Sequence, residues 1–159
     1  MTRNDDLIRR IDALEAIEEI KNLKARYFRF VDEKRFDELL TLFTPDPHLV
    51  TDGITWSSPK QFADTIRDLV GAAPTVHHGH MPEIEITGAN TASGIWAMED
   101  LLTFPAAVDA PDGHRGYGHY RETYKRVGDA WLIDGLTLTR LRMDSLDNWA
   151  VAEADGLDD

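Results

Sequence analysis

Apolar residues recur at steps of three and four from Leu7 through Ile11, Leu14, Ile17, Ile20, Leu23 and Tyr27 to Val31. That is the stripe of one helix face, and it predicts a long helix, or two in line, over about residues 6–31. Asn4, Asp5 and Asp6 supply cap candidates and early negative charge. The charged run Asp32-Glu33-Lys34-Arg35 ends the stripe. Phe36, Leu39, Leu40 and Phe43 form a second, short helical stripe closed by Pro45 and Pro47. His48–Thr51 and Ile54–Trp56 read as two strands around the hairpin dipeptide Asp52-Gly53. Ser58-Pro59 starts a helix whose buried face is Phe62, Ile66, Leu69 and Val70, with Gly71 at its end. Four longer strands are expected near 75–87, 91–104, 115–127 and 130–143, with turns at Pro111-Asp112-Gly113 and Gly128-Asp129. After Asp144 the acidic tail is poorly patterned, frayed or a short helix around Trp149.

Helices first and strands later indicate one α+β domain over residues 1–159, with its core at about 6–143. The length allows a real core. The net charge of −12 disfavours nucleic acid and anionic membranes as partners, while leaving an apolar substrate open. With no cysteine, thiolate metal sites, disulfides and thiol nucleophiles are excluded. No signal-like or membrane-spanning apolar run is present, so a cytoplasmic protein is expected.

The candidate chemistry lies at Tyr27, Asp32, His77-His78-Gly79-His80 and Arg140. A tyrosine on a helix stripe is more often a core residue with one hydroxyl partner. Asp32 alone would read as a helix terminator. On a regular helix the two side chains stand about 140° apart, so both face one pocket only if the helix ends or bends near Val31. Histidine suits proton transfer, and a carboxylate can fix its tautomer. In an unbroken strand His78 and His80 share a face with Ile84 and Ile86, and His77 lies on the other. Gly79 and Pro82 suggest a bulge that would reset this parity, so strand period alone leaves the inward histidine open. Arg140 shares its face with Leu136 and Leu138, at a pocket mouth, paired with a buried acid, or snorkelling to water. His78-x-His80-x-x-Glu83 superficially resembles a cupin metal pattern. Its glutamate comes one residue early, and a long helical start does not suit a jelly roll, so no metal is expected. Gly116-Tyr117-Gly118 reads as an irregularity at a strand start, and no dinucleotide or phosphate-loop fingerprint is present.

Three segments carry a resemblance: AIEEIKNLKARYFRFVDEKRFDEL, VHHGHMPEIEITGANTASGIWAMEDLLTF and WLIDGLTLTRLRMD. Over roughly residues 12–143 the chain resembles the SnoaL-like branch of the nuclear transport factor 2-like superfamily, and within it bile-acid 7-alpha-dehydratase and similar small dehydratases. The resemblance implies a cone-shaped, curved, mostly antiparallel sheet wrapped by N-terminal helices around an apolar pocket. It also implies homo-oligomers, with trimers among the dehydratases. The family's catalytic tyrosine matches Tyr27, its aspartate Asp32, its histidine His77 and a pocket arginine Arg140. His80 matches a second histidine of the motif, and Trp96 is taken as a further substrate contact. Asp52 stands where the bile-acid enzyme has an aromatic hydroxyl, so the pocket wall differs there.

The expected activity is therefore a dehydratase without cofactor, acting on a steroid-like or polycyclic hydroxy-carbonyl compound. His77, held by Asp32, would be the base. Tyr27 would serve the enolate or the leaving hydroxide, and Arg140 would set the pocket's field or hold Asp32. The alternatives are a ketosteroid isomerase-like or polyketide cyclase-like enzyme, or a non-catalytic ligand-binding module.

Overall fold

The structure is a computed structural model that describes residues 2–104 and 113–146. Helix α1 spans Arg3–Asp32, and α2 spans Phe36–Leu40. Strands β1 (Phe43–Thr51) and β2 (Ile54–Trp56) precede α3 (Pro59–Val70). Strands β3 (Thr75–Gly88), β4 (Thr91–Thr103), β5 (Gly113–Val127) and β6 (Ala130–Ser145) complete the order. The Pro111-Asp112 turn and the Trp149 tail lie outside the described residues.

The six strands form one sheet in the order β2-β1-β6-β5-β4-β3. All pairings are antiparallel except β1 with β6. The α+β class and the mostly antiparallel sheet thus stand as expected, although the sheet is mixed.

Helix α1 is capped by Thr2, not by Asn4 or the aspartates. Thr2 and Asp5 exchange side-chain and backbone bonds in a capping box. Only the later part of the predicted stripe is covered. Ile20, Leu23, Tyr27 and Val31 are buried, whereas Leu7, Ile11 and Leu14 are each about half exposed or more. The second helix is shorter than its stripe, because Phe43 already belongs to β1. The reason is local. Pro45 and Pro47 break the ladder without ending the strand, because proline cannot donate a ladder bond. Pairing of β1 with β6 holds at Phe43, skips, and resumes at His48. Asp52 and Gly53 both take positive φ (51° and 81°), which a tight hairpin turn requires.

In β3 the parity problem resolves through a bulge. Pairing with β4 runs regularly from Thr75 to His80, then shifts before Glu83, and Met81 takes positive φ. His77 and Gly79 therefore face α1, with Gly79 beneath the Phe28 ring. Beyond the bulge Ile84 and Ile86 pack against the core instead. The extra residue exchanges the two faces of the strand.

Candidate active site

The row of residues that crosses the sheet under α1 is set by register. His77 on β3 lies opposite Asp100 on β4, and Asp100 lies opposite Gly116 on β5. Arg140 on β6 pairs with Gly118 beside a second register shift. These positions meet a cavity of about 270 Å³ whose walls include Val31, Trp56, Phe62, Ile66, Leu69 and Leu138. Its polar end holds Tyr27, His77, Asp100, His114, Tyr120, Arg140 and Asp52.

Asp32, at the last turn of α1, grips β3. One oxygen accepts from the His77 backbone N–H at 3.0 Å. The other lies 2.6 Å from His77 Nδ1 and accepts from the Thr75 hydroxyl at 3.0 Å. Lys34 in turn donates to that hydroxyl at 2.8 Å. An ionised carboxylate can only accept, so the pairing places a proton on Nδ1 and leaves Nε2 as the free ring nitrogen. The helix stays regular through Asp32, and the predicted angle between Tyr27 and Asp32 does not need to close. Tyr27 lines the cavity directly, whereas Asp32 stands behind His77, which lines the cavity between them.

Arg140 is not tied to Asp32. Its guanidinium donates to both oxygens of Asp100, at 2.8 and 2.6 Å, and through Nε to Asp52 at 3.0 Å. Asp100 is almost wholly buried. Burial works against the Arg140 charge, but the bonds to Asp100 outweigh it and hold the group above its ordinary pKa. The clearance for this pair comes from Gly116, where a Cβ would overlap both the guanidinium and the Asp100 carboxylate. Gly116 is thus more than a strand irregularity. Gly116→Ala is expected to cost about 1–3 kcal/mol, the usual range for overpacking, as measured by urea denaturation.

Tyr27 and Tyr120 approach edge to face at 6.1 Å between ring centroids. Burial first, and then the Glu122 charge, push the Tyr27 hydroxyl above its ordinary pKa. Burial does the same for Tyr120. Both phenols thus remain proton donors through the neutral range. Behind them sits a fully buried ion pair. Lys24 Nζ donates to Glu122 at 2.5 Å and lies 3.6 Å over the Tyr120 ring and 4.0 Å over the Tyr27 ring. Tyr124 donates to the other Glu122 oxygen, and Trp96 Nε1 donates to the Tyr124 hydroxyl.

Two expected contacts lie elsewhere. Trp96 is a core residue of that buried chain and does not line the cavity, because its strand position faces the Phe28–Gly79 packing. His80 is exposed on the opposite face of the sheet, as the regular alternation from His77 requires. Asp52 does border the cavity, as an ion-pair partner of Arg140.

The site also holds residues that the sequence pattern does not single out: Asp100, His114, Tyr120 and, behind them, the Lys24–Glu122 pair. Asp100 stands in the sequence only as the acid after Glu99 in the segment VHHGHMPEIEITGANTASGIWAMEDLLTF, and the others carry no local signal. His114 is held below its ordinary pKa, mainly by burial and then by the Arg140 charge. As pH falls below about 6.5 the unfolded chain therefore binds a proton that the folded ring resists, so stability declines on the acid side. His114→Gln should remove that part of the decline, read as thermal midpoints between neutral pH and about pH 5.

The SnoaL-like domain model matches residues 12–137. A probable cyclase, FGR4, from Gibberella zeae is 32% identical over 142 residues, covering 80% of this chain and 92% of that protein. Among solved structures, hexachlorocyclohexane dehydrochlorinase LinA-type3 from Novosphingobium barchaimii superposes with a TM-score of 0.75 at 20% identity, over 92% of this chain and 98% of that one. A candidate scytalone dehydratase from Novosphingobium aromaticivorans gives 0.73 at 16% identity, over 90% and 95%. At these identities the structural likeness speaks for the fold, and the domain match with the cyclase relative speaks for descent. The chain belongs to the SnoaL-like family.

Proposed function

We propose that the protein is a hydro-lyase that removes water from a hydroxylated carbonyl compound with side chains alone. The observation that carries this reading is the Asp32–His77 pair at the wall of an apolar cavity that also holds two buried phenols. His77 Nε2 takes an acidic proton beside the carbonyl, or at its vinylogous position. The electron pair passes to the carbonyl oxygen, which receives hydrogen bonds from Tyr27 or Tyr120 as it gains charge. The enolate then re-forms its carbonyl, the carbon–oxygen bond to hydroxide breaks, and the His77 imidazolium returns the proton to give water. Asp32 stabilises the imidazolium between these steps. Arg140, neutralised by Asp100 and Asp52, orients the polar end and does not act as a free cation.

The cavity size narrows the substrate. At about 270 Å³ it lies just under the usual range of about 300–1,000 Å³ for drug-sized ligands. In an apolar chamber of this size, a single ring or two fused rings are favoured over the four of a steroid-like compound. The cyclase relative supports a second reading, ring closure or isomerisation with the same base.

The test is a panel of mono- and bicyclic β-hydroxy carbonyl compounds, followed by ultraviolet absorbance and product mass. Loss of one water with gain of conjugation supports dehydration. Conserved mass with a new isomer supports the second reading. Saturable binding without turnover across the panel overturns both.

A further inference from the structure

The strand alternation that turns His77 toward the cavity turns His78 and His80 to the opposite face. There they meet a carboxylate that the linear pattern does not reveal. His78 is the register partner of Glu99 on β4, and His80 is the partner of Ala97. The His78 and His80 rings lie 6.0 Å apart between centroids, and both side chains are exposed. One donor atom from each of His78, His80 and Glu99 lies within 4.8 Å of the other two.

We propose that His78, His80 and Glu99 form a site for a borderline divalent metal of the zinc class, on the far side of the sheet from the cavity. Two imidazoles and one carboxylate are a ligand set that zinc uses when a fourth position is left to water. Tetrahedral zinc bonds of about 2.0–2.1 Å set ligand atoms about 3.3 Å apart. Closing to that spacing needs the side chains to move, and the exposed histidines with the small Ala97 beside them leave room for it. Their backbone spacing is already supplied by the β3–β4 ladder, so binding does not have to order a loop. On its other side Glu99 faces Arg115 at 3.6 Å, a loose contact that steadies the carboxylate without saturating it. Imidazole donors select zinc, nickel, copper or cobalt over calcium and magnesium.

Glu83 is the carboxylate that the sequence spacing nominates, yet the bulge after His80 moves it along the strand to pair with Ile95. The ligand set is therefore drawn from two strands.

The experiment is zinc titration by calorimetry on the full chain after chelator treatment, at neutral pH, with magnesium as the comparison. One saturable zinc site per chain is expected, with no magnesium binding. His80→Asn and Glu99→Gln should each weaken zinc at least about tenfold, and Glu83→Gln should leave affinity within about twofold. Circular dichroism checks that each variant is folded, which surface positions make expected. Cobalt in place of zinc should give visible bands that change in His78→Asn. Absence of saturable zinc binding, binding that survives both His80→Asn and Glu99→Gln, or dependence on Glu83 in place of Glu99 would each overturn the site. The readout is metal binding, so it stands or falls separately from the proposed dehydration.

Discussion

Replacing His77 by alanine is expected to lower kcat/KM for the dehydrated substrate by at least about a hundredfold, the lower end of what a positioned acid–base group contributes. The loss should fall on kcat more than on KM, because in the proposed reaction Nε2 serves the transition state and the apolar walls serve binding. Asp32→Asn should cost a similar factor for a different reason. An asparagine can still hold the His77 backbone N–H, but its neutral amide gives up the charge that favours the Nδ1–H tautomer and stabilises the imidazolium. The two changes act on one unit, so the double variant should lose little more than either single one. Steady-state kinetics on the three variants checks this. Full activity in both single variants would remove His77 from the chemistry.

The largest stability effect is expected at Lys24. Its ammonium and the Glu122 carboxylate are both fully buried, so neither regains water when the other is removed. Lys24→Met should destabilise the fold by about 3–5 kcal/mol, the cost of leaving a buried charge without its partner. Adding Glu122→Gln should restore much of that loss, because the amide is neutral and its oxygen can still accept from Tyr124. Urea denaturation of the single and double variants separates the two cases. The pair also bears on the site. With Lys24 gone, an unbalanced Glu122 charge lies behind two aromatic rings whose hydroxyls would donate in the proposed reaction, and that charge already pushes Tyr27 upward.

Much of this protein was legible from one dimension. Three- and four-residue steps located α1, and Ser58-Pro59 located α3 together with its cap serine. Alternation and turn dipeptides located the long strands to within two residues at most ends. Periodicity reports which face of an element is apolar, and that is a local property. It failed at Phe43, where two prolines looked like a helix stop but sit inside a strand, because a broken ladder and an ended element leave the same mark in the sequence. It also failed for Leu7, Ile11 and Leu14, whose stripe continues beyond the part that this chain covers.

The candidate site was only half legible. The motif resemblance placed Tyr27, Asp32, His77 and Arg140 together, and the structure sets Tyr27, His77 and Arg140 at the polar end of one cavity, with Asp32 outside it behind His77. It also nominated Trp96 and His80, which pack in the core and on the far face.

By itself the sequence determined most of the helices and strands and some of the groups that can move a proton, since these follow from local spacing and side-chain chemistry. Only the tertiary structure decided which of those groups face one another. A single extra residue at the β3 bulge sets the inward side of that strand, and the β3–β4 register then divides two adjacent pairs between faces. His77 and Asp100 go to the cavity, and His78 and Glu99 go to the other side. Register is a long-range agreement between strands, and no window along one strand contains it.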